Sequence, residues 1–155
     1  MDALRDHLVY LLEEGGAHAG FESAIEDFPV ELRGVRPPGA AHSAWELLEH
    51  MRIAQWDILE FARDAKHVSP KFPKGYWPQT PAPSNDQAWD ECIAAFLNDR
   101  NGLIDLAKTT HDLLAPIPHG DGQTVLRELL LAADHNSYHL GQFLLVRRLL
   151  QTWPA

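Results

Sequence analysis

Hydrophobic and polar positions recur along this chain every three to four residues, a spacing that predicts helices over most of its length. In residues 2–28, Leu4, Leu8, Leu11 and Leu12 form one stripe, continued by His18, Phe21, Ile25 and Phe28. Gly15-Gly16 should bend or break this helix, and Pro29 ends it. Residues 29–42 contain Pro37-Pro38-Gly39 and read as an extended connection. Ser43-Ala44-Trp45-Glu46 is a capping box, in which the Ser43 hydroxyl and the Glu46 carboxylate each satisfy a free N–H at a helix start. The helix it opens should run to about Ala65, with Leu47, Met51, Ala54, Ile58, Phe61 and Ala62 inward and Glu49, Arg52, Glu60 and Arg63 in water.

Prolines at 70, 73, 78, 81 and 83 exclude a regular element from residues 66–85. The aromatics of Tyr76-Trp77-Pro78 in this long loop need burial, either against the mouth of a bundle or in a dimer contact. Ser84-Asn85-Asp86-Gln87 reads as a second capping box, opening a helix from about Asp86 to Thr110. Trp89, Cys92, Ile93, Phe96, Leu103, Leu106 and Ala107 line its inner face, and Arg100 falls among them. An arginine there must be paired, as a structural ion pair or as an anchor for an anionic ligand. Pro116 and Pro118 bracket a loop before the last helix, Val125 to Leu150, which is apolar all round. Such a helix is buried on more than one side, which points to a homodimer contact. Gly141 inside it calls for a tight helix crossing or for space beside a site. The expected fold is all-α, a four-helix bundle with a long Pro-rich loop between its second and third helices, in a single domain over residues 1–155.

Composition adds exclusions. A chain of 155 residues with 45% hydrophobic and 23% charged residues suits one globular core. Thirteen basic against 22 acidic residues give a net charge of −9, which argues against nucleic acid and anionic membrane surfaces as partners. Cys92 is the only cysteine, so no internal disulfide or cysteine-rich zinc site is available, and its place on a helix face makes it a core residue. The residues from Met1 to His7 lack the features of a signal peptide, and no apolar run is long enough to span a membrane. A cytoplasmic protein is expected.

The chemistry sits in polar residues on apolar helices. His135 and His139 are one turn apart in the last helix, so both imidazoles reach a common point. His50, on the inward side of the second helix beside Leu47, Met51 and Ala54, is the best third histidine. Three histidines suit a metal site with an open position. Imidazoles suit zinc, nickel, iron and copper, so the ligand set alone does not name the metal, and zinc or nickel is expected first. Asn136 stands where a His-Glu-x-x-His zincin has its glutamate, and no Glu-x-x-His of a di-iron bundle occurs. No serine sits at a strand-to-helix elbow, so no Ser-His-Asp triad and no catalytic residue is assigned. His18, Arg100, Tyr138 and Gln142 are pocket candidates, and Asp134 is a candidate to orient an imidazole from behind. His7, His42, His67, His111 and His119 fall at helix flanks or in loops and are expected in water.

Trp45-Glu46-Leu47-Leu48-Glu49-His50-Met51-Arg52-Ile53-Ala54-Gln55, then Gly75-Tyr76-Trp77-Pro78, then Asp134-His135-Asn136-Ser137-Tyr138-His139-Leu140-Gly141-Gln142 resemble the DinB superfamily in content and order. The resemblance covers almost the whole chain. It implies an up-down-down-up four-helix bundle, commonly a homodimer, with one metal ligand from the second helix and two from the fourth, here His50, His135 and His139. It implies no DNA contact. It also implies two activities on a small-molecule substrate: transfer of a low-molecular-weight thiol such as bacillithiol or mycothiol to an electrophile, or hydrolysis by an activated water. A non-catalytic metal-binding or interaction module is the third possibility. The absence of an obvious inward carboxylate beside the histidines tilts the reading toward thiol chemistry.

Overall fold

The computed structural model describes residues 3–153. Its helices are α1 (Ala3–Glu14), α2 (Phe21–Ile25), α3 (Ala44–Arg63), α4 (Asp86–Thr109) and α5 (Val125–Leu149), with short 3₁₀ turns at Val30–Leu32 and Lys74–Tyr76. Four are long, no strand occurs among the described residues, and the all-α bundle is as expected. α3 packs against α5 on one side and α4 on the other, and α1 closes the group against α4 and α5.

The caps explain where the helices start. Ser43 Oγ accepts from Glu46 N at 3.2 Å, and Ser43 N donates to Glu46 Oε2 at 2.8 Å, completing the expected box at α3. α3 ends at Arg63, two residues before the expected end. At α4 the cap is Asn85, not Ser84: its Oδ1 accepts from Ala88 N at 2.8 Å, while Gln87 turns outward to Glu91. Asparagine caps as well as serine, so the overlapping signals resolve one residue downstream. Thr124 caps α5 by accepting from Arg127 N at 3.1 Å.

The first segment breaks at Gly15-Gly16 as expected, but its second piece is only α2 and ends at Ile25, before Pro29. Gly15 and Gly16 both take positive φ, 71° and 85°, which stops α1 at Glu14. His18 therefore stands in a link rather than on a helical stripe, and residue 2 lies outside the described residues. A Cβ on Gly15 would meet His18 Cε1 at 2.8 Å, so the glycine is also needed for the close approach of that ring.

The core forms two clusters, one around Phe21, Trp89, Phe96 and Phe143, the other around Leu59, Leu103, Leu129 and Ala132. The fully buried Gln55 is a polar tie in this interior: its amide donates to Phe96 O at 2.7 Å, and its Oε1 accepts from Asn136 at 2.8 Å. Arg147, also buried, donates to Ala24 O and Glu26 O at 2.7 and 2.8 Å, closing the C-terminal carbonyls of α2. Arg100 is a structural ion pair with Glu22 and holds that carboxyl below its ordinary pKa. Cys92 is buried with its thiol on Glu49, and burial pushes its pKa up, as suits a core residue.

α5 is not buried all round within the chain. Leu130, Tyr138, Leu145 and Leu149 are exposed on it. Gly141 is exposed too, and a Cβ there would meet nothing within 4 Å, so neither a crossing inside the chain nor space beside a site accounts for it.

Candidate metal centre

The packing of α3 against α5 brings His50, His135 and His139 together. His50 Nε2 lies 3.1 Å from His139 Nε2 and 3.1 Å from His135 Nε2. Three nitrogens bound tetrahedrally to one zinc, each at about 2.0–2.1 Å, would stand about 3.3 Å apart, close to this spacing.

The hydrogen bonds behind the rings sharpen the fit. His50 Nδ1–H donates to the carbonyl of Tyr76 at 2.7 Å, and His139 Nδ1–H donates to Gln142 Oε1 at 3.0 Å. A neutral imidazole that donates through Nδ1 has a bare lone pair on Nε2. Two bare nitrogens therefore face each other at 3.1 Å, an arrangement that repels unless a cation sits between them. His135 Nδ1 is buried and has no hydrogen-bond partner.

Burial keeps the set neutral. It pulls His50 and His135 down to about 4, with the neighbouring imidazoles adding to the effect, and lowers His139 as well. At neutral pH all three offer lone pairs rather than protons, the state a metal ligand requires.

The Pro-rich loop covers this cluster. The Trp77 indole stacks on His50 at 3.9 Å between centroids and on His42 at 4.0 Å, nearly parallel to both. Two imidazoles on one face would overlap, so Trp77 is sandwiched between them. Of the two expected burials for these aromatics, the structure shows the mouth of the bundle. His42 is consequently half-buried, with Nδ1 unpartnered, rather than in water. His67 is also not solvated: its ring is buried and bonds Asp57 Oδ1 at 2.7 Å. His119 is exposed but bonds Phe61 O, while His7 and His111 are exposed as expected.

Of the pocket candidates, Gln142 touches the centre directly through His139. Tyr138 lies edge-on to His139 at 4.9 Å but is 65% exposed. His18 and Arg100 line a different cavity, between the end of α1, α4 and α5, which none of the three clustered histidines lines. There His18 Nε2 pairs with Ser137 Oγ at 3.2 Å. Asp134 is exposed and bonds none of the three imidazoles. A cleft lined by His42, Leu47, Gln142 and Leu145 adjoins the cluster through Gln142.

Sequence reasoning gave Asp57 and Gln55 no role and placed His42 in water. Asp57 carries a usable signal, since seven residues separate it from His50 and place both on one face of α3. His42 lies outside any periodic segment and has none.

Fold and cluster together define an all-helical protein whose three histidines fit a divalent metal ion. The chain belongs to the DinB superfamily, whose sequence model matches residues 16–143. Neither a curated protein nor a solved structure matches it. No helix among the described residues is long and apolar enough to cross a membrane.

Proposed function

We propose that this chain is a divalent-metal enzyme that joins a low-molecular-weight thiol to a small electrophile, with His50, His135 and His139 as the metal ligands. The observation that carries the metal reading is the convergence of Nε2 atoms at 3.1 Å, two of them with their Nδ1 protons committed elsewhere. A divalent ion held there lowers the pKa of a thiol or water that binds it.

The residues favour the thiol. No carboxylate among the described residues bonds any of the three imidazoles, so the chain supplies no evident base beside them. A thiol, with a pKa of about 8.5, needs little help in losing its proton; water, near 15.7, needs far more. Cys92 is buried on Glu49 and supplies no competing nucleophile. The cleft beside Gln142 and Leu145 offers an apolar wall with a polar edge for the electrophile. Metal-dependent hydrolysis is the second reading, and it rests on the same ligand set.

The first test is metal content of untagged protein by mass spectrometry. About one zinc or nickel per chain is expected, lost in His139→Ala; no metal in either protein after reconstitution would overturn the proposal. The loaded protein should then join a small thiol to a chloronitrobenzene, forming a C–S bond with release of chloride and a proton. Thiol-independent ester cleavage in place of that transfer would favour the hydrolase, and bound metal without any turnover would favour a binding module.

A further inference from the structure

We propose that Asp57 is a positioning residue for the metal centre, acting through Tyr76 to fix the tautomer and orientation of His50. The proposal rests on the metal-site reading above.

Asp57 is seven residues beyond His50, so it lies on the same face of α3, about 10 Å along the axis. The Pro-rich loop runs over that face, and Tyr76 bridges the interval. Its backbone carbonyl accepts the His50 Nδ1 proton at 2.7 Å, and its phenol donates to Asp57 Oδ2 at 2.6 Å. The other carboxylate oxygen, Oδ1, bonds His67 Nε2 at 2.7 Å, and the His67 ring stands edge-on to Trp56 at 5.0 Å. One buried carboxylate thus ties both the start and the middle of the loop to α3.

The consequence for His50 is specific. With the Tyr76 carbonyl in place, the ring proton stays on Nδ1 and the Nε2 lone pair points at the other two histidines. If the carbonyl moves away, nothing selects that tautomer, and a proton on Nε2 removes a ligand. The phenol remains a donor under all ordinary conditions, because burial and the neighbouring carboxylate push its pKa up to about 12. Trp77, the next residue, is placed against His50 by the same anchor. Loop docking and ion binding are therefore linked: an ion that selects the Nδ1–H tautomer should tighten the loop, and a docked loop should tighten the ion.

The test is zinc affinity by chelator competition on the full-length, untagged protein and its Asp57→Asn and Tyr76→Phe variants. It is combined with long-range proton–nitrogen NMR of the metal-free proteins, which reads the His50 tautomer. Tyr76→Phe removes one hydroxyl, so it reports on the linkage even if Asp57→Asn folds poorly. Each variant should weaken zinc by about tenfold or more, and the double variant should be little worse than either single one. The NMR should show a single Nδ1–H form of His50 in the wild type and a mixture in the variants, a change that a merely structural role would not produce. Wild-type affinity together with a wild-type tautomer in Tyr76→Phe would overturn the proposal. If the wild-type chain binds neither zinc nor nickel, the metal reading fails by itself. The tautomer measurement then still decides whether Asp57 governs His50.

Discussion

Each imidazole of the cluster has two ring nitrogens, and the division of labour between them is what makes a site. Nδ1 of His50 and of His139 holds a protein acceptor, which leaves Nε2 free. The low pKa values of His50 and His135, about 4 against an ordinary 6.5, carry a stability consequence in the metal-free protein. Between about pH 6.5 and pH 4 the unfolded chain binds protons at these positions that the folded chain does not. The contribution of these two groups is thus fully present above about pH 6.5 and is lost as pH falls toward about 4. Denaturant unfolding of metal-stripped protein at about pH 7 and pH 5 should show a fall in stability at the lower pH, and His135→Gln should reduce that fall. An unchanged difference in His135→Gln would mean that other groups carry the pH dependence. The convergence of the three histidines was legible in the sequence because imidazoles at helical spacing on apolar faces need partners for their ring nitrogens. Their acceptors were less so: Gln142 lies three residues from His139 on the same helix, whereas the Tyr76 carbonyl reaches His50 only through the path of a proline-rich loop.

At the scale of elements, the helices themselves were readable within one or two residues at α3, α4 and α5, because caps and periodicity agreed there. The first segment was harder. Its break was legible, since the two glycines take the left-handed backbone that glycine favours, but the apolar spacing that runs on to Phe28 concealed the non-helical link between the pieces. The stripe beyond the glycines belongs to a short, separate helix, and His18 leaves the pattern altogether. Gly15 has two reasons to be glycine, a φ of 71° and a His18 ring carbon that an added Cβ would meet at 2.8 Å. Gly15→Ala should therefore lower stability by about 1–3 kcal/mol and displace His18 from Ser137. Thermal or denaturant unfolding measures the first effect and the His18 ring signals in NMR measure the second; an alanine variant of wild-type stability would show that the link relaxes without strain.

The molecule as a whole leaves one face of α5 unexplained. Leu130, Tyr138, Gly141, Leu145 and Leu149 lie along it at steps of three, four and eight residues, all exposed in the single chain. A glycine in mid-helix costs about 1 kcal/mol relative to alanine, and nothing within 4 Å inside the chain repays that cost. Contact with a second copy of α5 would account for both the exposed apolar side chains and the small residue between them, since a two-fold axis sets the same face against itself. A homodimer is accordingly the expected state in solution, and sedimentation is the measurement. Tyr138→Glu combined with Leu145→Glu should give a monomer, because facing carboxylates would be buried unpaired. Gly141→Ala separates the alternatives more finely. In a dimer seamed along α5, the added methyl weakens association; in a monomer it only removes the glycine penalty and raises stability by about 1 kcal/mol at every protein concentration. Tyr138 lies 4.9 Å from His139, so the seam would run beside the three-histidine cluster, and a monomeric variant should show a change in the transfer activity proposed above even with its metal retained.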